Sequence, residues 1–239
     1  MQFKTASYSH IGGRSCNEDT VQLAHHQRGS LCVVVADGLG GHGGGDLASQ
    51  KAAEVICGQW NGGTTPQCLI SLIQEAHRQI QAMQTRQQAM RSTVAALVVG
   101  GGTAAHAHAG DSRIYHFING QLVFQSLDHS ASQIAVIMEE ITPEQIRFHE
   151  DRNRVLRCLG QDGALQPTAA DCPLLPGSHA FLLCSDGFWE YVLEPEMEAD
   201  LQAAADPQDW LDRMRARLNC RIPPTNDNNT AAAVWFDIP

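Results

Sequence analysis

Three aspartates in this chain share one local setting. Asp37 follows Val33-Val34-Val35-Ala36 and precedes Gly38. Asp186 follows Phe181-Leu182-Leu183-Cys184-Ser185 and precedes Gly187. Asp111 follows Ala107-His108-Ala109-Gly110 and precedes Ser112. A fourth, Asp227, stands in Asn226-Asp227-Asn228-Asn229-Thr230, just ahead of a last apolar run. A carboxylate at the end of a buried strand lies close to the core, where an unpaired charge is costly. Several brought together repel one another unless cations lie between them. An all-oxygen set suits hard ions, Mg²⁺ or Mn²⁺, better than zinc. Taken singly, each Asp-Gly also reads as an ordinary turn. The recurrence of the same apolar lead-in weakens that reading, and convergence of the strand ends becomes the expectation.

The elements that must position these acids are legible in outline. Strands are expected at Phe3 to Tyr8 and Leu31 to Ala36, the second ending in a Gly-rich loop that begins at Asp37. Two helices follow. One runs from Asp46 to Trp60, and the other opens at Thr65-Pro66 with Leu69, Leu72, Ile73, Ala76, Ile80 and Met83 on one face. From Thr93 to about Leu127 the pattern is β, with Asn119-Gly120 a hairpin signal. Ala131 to Glu140 reads as helix, and Thr142-Pro143-Glu144-Gln145 as a capping box that starts another short one. A strand over 180–185, two helices and a strand from Ala231 to Phe236 close the chain. This mixed order predicts an α+β domain with mainly antiparallel pairing, residues 1–239 forming one unit without repeat or linker.

Composition narrows the function. The 239 residues are 43% apolar and 18% charged, ordinary for a protein with a sizeable core, and the formal charge is −10. That balance excludes nucleic acid as the main partner, since phosphate backbones call for a Lys/Arg surface. The N-terminus lacks the apolar region of a secretory signal and no apolar run reaches membrane-span length, so a cytoplasmic protein without membrane association is expected. Eight scattered cysteines without a C-x-x-C pair read as small core residues. Gly38-x-Gly40-x-x-Gly43 matches the dinucleotide fingerprint. Two features oppose that reading: Asp37 would sit against the pyrophosphate, and no acidic residue ends a second strand about 20 residues on.

Seven segments taken in order resemble the PPM/PP2C family of metal-dependent Ser/Thr phosphatases, in its compact bacterial branch. They are Arg14-Ser15-Cys16-Asn17-Glu18-Asp19, Val35-Ala36-Asp37-Gly38-Leu39-Gly40-Gly41-His42, Ser92-Thr93, Ala109-Gly110-Asp111-Ser112-Arg113-Ile114-Tyr115, Asp128-His129-Ser130, Leu183-Cys184-Ser185-Asp186-Gly187 and Asp227-Asn228-Asn229-Thr230. The resemblance spans residues 3 to 236. It implies a four-layer αββα sandwich, two mainly antiparallel sheets flanked by helices, with metals in a cleft at one end.

The resemblance also assigns roles. Asp37 bridges two cations, the Gly38 carbonyl ligates one, Asp186 and Asp227 hold the other, and Asp111 with Asp186 forms a third, looser site. Glu18 acts through bound water, Asp19 supports the site, and Arg14 grips the substrate phosphate with its guanidinium fork. The implied reaction is hydrolysis of phosphoserine or phosphothreonine by water activated between two Mn²⁺ or Mg²⁺ ions, with His42 as general acid. His106 and His108 are expected on one side of a strand, and His25-His26 at the surface. Two positions depart from the family pattern: Leu39 replaces the histidine that eukaryotic members place after Asp-Gly, and Arg91 replaces the glycine common before Ser-Thr. Residues 131–160, including Arg152-Asn153 and Leu159-Gly160, match the family's variable flap.

By the same resemblance the partners are a phosphorylated Ser/Thr protein substrate, a eukaryotic-like Ser/Thr kinase opposed by this chain, or a forkhead-associated-domain protein. The chain itself is expected to be a monomer. Two rival readings stand beside this one: a phosphatase-like binding or sensing module without catalysis, and a phosphatase for a small phosphoester. Intact Asp37, Asp186 and Asp227 oppose the first.

Overall fold

Leu31 to Ala36 is apolar at every position because both faces of its strand are covered. Leu31, Val33 and Val35 point into one buried layer, and Cys32, Val34 and Ala36 into another. The computed structural model describes residues 1–239 except Arg28, Gly41, His42, Arg86 and Gln87. In chain order its elements are β1 (Lys4–His10), β2 (Asp19–His26), β3 (Ser30–Leu39), α1 (Gly45–Gln59), α2 (Pro66–Met83), β4 (Arg91–Ser92), β5 (Val94–Gly100), β6 (Thr103–Ala109), β7 (Arg113–Ile118), β8 (Gln121–Gln125) and α3 (Ala131–Ile137). A 3₁₀ turn (Pro143–Phe148) follows, then β9 (Thr168–Cys172), β10 (Gly177–Cys184), α4 (Asp186–Trp189), α5 (Glu194–Ala203), α6 (Pro207–Asn219) and β11 (Asn229–Ile238).

The strands form two antiparallel sheets. The first has the order β1-β11-β10-β7-β8, and the second β2-β3-β5-β6-β9, with β4 on the end of β3. Three apolar layers separate four layers of structure. Leu31, Val33, Val35, Leu97, Phe181, Leu183 and Val234 fill the space between the sheets. Helices α1 and α2 cover the outer face of the second sheet through Ala52, Ile56, Leu69 and Ile73. Trp189, Trp210, Leu211 and Met214 of α4 and α6 cover the first. This is the expected αββα sandwich.

Local signals act where their chemistry requires. Thr65 caps α2 by accepting from the Cys68 N–H at 3.3 Å, with Pro66 in the first turn. Asn119 and Gly120 both take positive φ in the tight turn joining β7 and β8, a conformation these two residues tolerate. The capping box at Thr142 opens a 3₁₀ turn. No helix among the described residues is long and apolar enough to cross a membrane.

Several expectations need correcting. Asp37, Gly38 and Leu39 belong to β3 and not to a loop, because Asp37 lies opposite Asp19 of β2, while Gly38 and Leu39 pair with Ser92 and Arg91 of β4. The edge strands β2 and β9 carry no continuous apolar run, being covered only in part, and so lack the signal of the central strands. Three helices, not two, follow β10, since α4 is a single turn too short for a periodic pattern. The dinucleotide reading fails: β3 and its neighbour β5 run antiparallel, so no parallel crossover exists there. His26 is half-buried, its ring edge-on to Trp60, while His25 is exposed.

Phe181, fully buried between the sheets, carries much of that layer. Phe181→Ala is expected to cost about 3–5 kcal/mol, whereas Val123→Thr on the exposed edge strand β8 should stay within about 0.5 kcal/mol. Denaturant midpoints compare the two; equal effects would contradict this layer assignment.

Candidate metal centre

The sandwich gathers five aspartates at one end. Asp19 and Asp37 come from paired strands of the second sheet and face each other in register. Asp186 follows β10, and Asp227 precedes the antiparallel β11 beside it, both in the first sheet. Asp111 sits where the chain leaves β6 of the second sheet for β7 of the first. Antiparallel pairing of β10 with β11 brings the end of one strand beside the start of the other, so Asp186 and Asp227 meet at one rim, and the packing of the two sheets sets Asp37 against them. A cleft of about 540 Å³ opens there, lined by Arg14, Glu18, Asp37, Gly38, Asp111, Asp186, Asp227 and Asn228, with Asn153 and Val155 of the 131–160 segment on its other side. A second concavity of about 530 Å³ at the far end of the first sheet contains none of these acids.

Short polar side chains hold Asp37 and Asp19 and brace the segments beside the other acids. The Asp37 N–H donates to Thr93 Oγ1 at 3.0 Å, and its carbonyl accepts from Thr93 N (2.8 Å) and Ser92 Oγ (3.0 Å). Thr93 in turn shares a 2.7 Å hydrogen bond with Ser112, next to Asp111, which links the two acidic loops. Ser185 donates to Asp19 Oδ2 at 2.7 Å and accepts from Thr230 N at 3.0 Å. The Asn228 side chain accepts from Glu18 N and donates to the Ile11 and Cys16 carbonyls, tying the loop that carries Arg14 and Glu18 to the start of β11. Two glycines admit close backbone approach: a Cβ on Gly38 would lie 2.2 Å from the Gly45 carbonyl oxygen, and one on Gly187 2.0 Å from that of Asn228.

The electrostatics follow from this crowding. Burial, compounded by Asp19, Asp186, Asp111 and Asp227, pushes the Asp37 carboxyl well above the usual carboxylate range. Burial and then Asp186 raise Asp111 in the same way. Burial pushes Asp19 up to about 7, although hydrogen bonds from Ser185 and Thr230 pull the other way. Asp186 is pushed up to about 6 by burial and by Asp227, opposed by hydrogen bonds involving Asp37 and the Gly187 backbone. Glu18 is raised by burial and by Asp46 and Asp227. Arg14, more than half exposed, answers Asp227 with an ion pair of 2.7 Å.

The donor set fits hard divalent cations. Asp19 Oδ1, Asp111 Oδ1 and Asp186 Oδ1 are buried without a hydrogen-bond partner, the condition a cation would relieve. Among the described residues no three His, Cys, Asp or Glu side chains close round a single point. Mg²⁺-type sites need no such cage, since the ion keeps several waters and takes one or two carboxylates.

The structure brings Arg14, Glu18, Asp37, Gly38, Asp111, Asp186 and Asp227 to one cleft, with Asp19 buried against Ser185 beneath it. His42, expected as general acid, lies outside the described residues. His106 and His108 do share one side of β6, His106 against Phe124 and His108 stacked on His129. Sequence reasoning gave no role to Thr93, Ser185 and Asn228, whose signal was their place inside the quoted segments. It also missed Glu190, pushed up to about 7 by burial and Asp186 and paired with Arg152 at 3.1 Å. Its sequence signal is the four-residue step from Asp186, one helical turn.

Comparison with known proteins agrees with this geometry. The sequence profile of the protein phosphatase 2C family matches residues 6–224. The serine/threonine phosphatase stp of Listeria monocytogenes serotype 4b is 31% identical over 200 residues, covering 80% of this chain and 79% of that protein. PppA of Pseudomonas aeruginosa, described as a key regulatory component of T6SS, has a solved structure that matches with a TM-score of 0.78 at 27% identity, over 99% of each chain. The catalytic domain of the serine/threonine protein phosphatase PstP, in complex with two manganese ions, matches with a TM-score of 0.80 at 26% identity, over 98% of this chain and 99% of that one. By profile, identity and architecture, this chain belongs to the protein phosphatase 2C family of serine/threonine phosphatases.

Proposed function

We propose that this chain hydrolyses phosphoserine and phosphothreonine in proteins with the help of two divalent cations, Mn²⁺ or Mg²⁺, held in the acidic cleft. The observation that carries this reading is the set of buried and half-buried aspartates gathered from both sheets, three of them with a buried oxygen lacking a hydrogen-bond partner. The manganese bound by PstP supports it. Bound there, the cations would supply a water of lowered pKa as nucleophile and positive charge against the phosphoryl oxygens.

The chain's own residues divide the remaining work. Asp37, the Gly38 carbonyl, Asp186 and Asp227 hold the two cations, and Asp111 with Asp186 forms a third, looser site. Glu18 orients water at the rim. Asp19, clamped by Ser185, buttresses Asp37 from the neighbouring strand. Arg14 is spent on Asp227 in the protein alone. With Asp227 engaged in holding a cation, the Arg14 guanidinium fork would be free to grip two phosphate oxygens. His42 remains the proposed proton donor to the leaving alkoxide. Residues 1–239 act as one catalytic domain, with 131–160 as a flap over the cleft. The setting is a cytoplasmic monomer opposing a eukaryotic-like Ser/Thr kinase. Forkhead-associated-domain proteins are proposed among its substrates, and the part PppA plays in T6SS supports a regulatory role of that kind.

Three outcomes test this reading. Hydrolysis of a phosphothreonine peptide should require Mn²⁺ or Mg²⁺, and Asp37→Asn should lower it by about 100-fold or more; turnover in chelator would contradict the mechanism. Arg14→Ala should raise KM about tenfold with kcat little changed, because its phosphate contact is made in ground and transition states alike; a loss confined to kcat would count against that role. The third outcome concerns pH. The raised carboxyls of Asp19 and Asp186 make the metal-free folded chain bind more protons than the unfolded chain between the ordinary carboxylate range and about 7. Their contribution to stability therefore falls as pH rises through that window. Cations offset the charge, so the gain in Tm from Mn²⁺ should grow from about pH 5 to about pH 8. A gain that shrinks over that range would overturn the assignment.

A further inference from the structure

Trp189 connects the two acids of the looser site without facing the cleft. It closes the single turn of α4 that begins at Asp186, and it is buried. Its backbone N–H reaches back to the Ser185 carbonyl at 3.3 Å. Its indole N–H donates to the Asp111 carbonyl at 2.9 Å. One rigid bicycle thus spans from the Asp186 turn to the Asp111 loop.

Both ends of that span are clamped. The Arg113 guanidinium stacks 3.4 Å above the indole ring and grips Asp128 through two 2.8 Å hydrogen bonds, two residues along the chain from Asp111. Arg147, from the 3₁₀ turn, donates to the Trp189 carbonyl at 3.1 Å and to both carboxylate oxygens of Glu194. The indole therefore has no room to tilt. The two carboxylates it spaces, Asp111 and Asp186, each present a buried Oδ1 with no hydrogen-bond partner.

We propose that Trp189 is a positioning residue: its indole N–H, acting through the Asp111 carbonyl, sets the spacing of the Asp111 and Asp186 carboxylates and so the affinity of the cation they share. This rests on the cleft being a metal centre, as proposed above. The indole touches neither cation nor substrate, and its N–H reaches the cleft only through Asp111, the acid that the tighter pair of sites does not use. The sites built on Asp37 and Asp227 depend on Thr93 and Asn228 instead.

Calorimetric titration of the metal-free protein with Mn²⁺ tests this, using wild type, Trp189→Phe and Asp111→Asn, with the Tm of each metal-free protein measured alongside. Trp189→Phe keeps an aromatic face for Arg113 and removes the N–H. The expected result is a weak class of site in wild type that is lost in Asp111→Asn and weakened about fivefold to tenfold in Trp189→Phe. The tighter class should change less than about twofold in both. If Trp189→Phe does not melt cooperatively, site-specific 3-benzothienylalanine at position 189 keeps the bicyclic shape without the N–H and should give the same result. Unchanged weak binding in the variant overturns the proposal while leaving the metal centre standing. Equal weakening of every class, together with a lowered metal-free Tm, shows a merely structural role and also overturns it. A wild type that takes up no Mn²⁺ removes the metal centre itself, and this inference with it.

Discussion

Mutual repulsion among buried carboxylates at one rim of the sandwich is the constraint on which the rest of the structure depends. Asp19 and Asp111 are buried, Asp37 and Asp186 are half-buried beside them, and Asp227 stands near; in the protein alone their charge is met by hydrogen bonds, by Arg113 near Asp111 and by Arg14 on Asp227. Such an arrangement persists only where the surrounding structure over-determines it. Here that surround is two antiparallel sheets with three apolar layers between and around them. Asp37, Asp111 and Asp186 stand at the ends of β3, β6 and β10, strands with buried interiors, so they cannot relax apart without moving whole strands.

The same architecture separates rigid parts from adaptable ones. The acidic wall of the cleft is built on strand ends and close-packed glycines. The facing wall comes from the 131–160 segment, which is pinned at a few points: Leu159 pairs with Ser92, Arg147 reaches α4 and α5, and Arg152 meets Glu190. The same segment exposes Ile137 and Met138 ahead of those pins and Phe148 between Arg147 and Arg152. The cleft is thus lined by acids at strand ends together with Asn153 and Val155 of that segment.

Much of this was legible in the sequence, for identifiable reasons. Leu31 to Ala36 and the 180–185 run announce central strands because burial on both faces removes polar alternation. Thr65-Pro66 and Asn119-Gly120 carry their geometry in single residues. The metal-ligand candidates were visible as acids after apolar runs, although only the family resemblance divided roles among them. Less legible were features made by tertiary contact. Asp37 looked like the start of a loop because its strand continues only through pairing with β2 and β4. The edge strands β2 and β9 lack a continuous apolar signal. The supports Thr93, Ser185 and Asn228 act through two or three hydrogen bonds each to partners distant in sequence, which no local pattern encodes.

Anomalous diffraction from a crystal soaked in Mn²⁺ tests the central claim most directly, that the acidic rim exists to hold hard divalent cations. Two strong anomalous peaks in the cleft are predicted, one at Asp37 and the Gly38 carbonyl and the other at Asp37, Asp186 and Asp227, with a weaker third at Asp111 and Asp186 and with the Arg14–Asp227 ion pair opened. A cleft free of anomalous density at saturating Mn²⁺, with that ion pair intact, would contradict it.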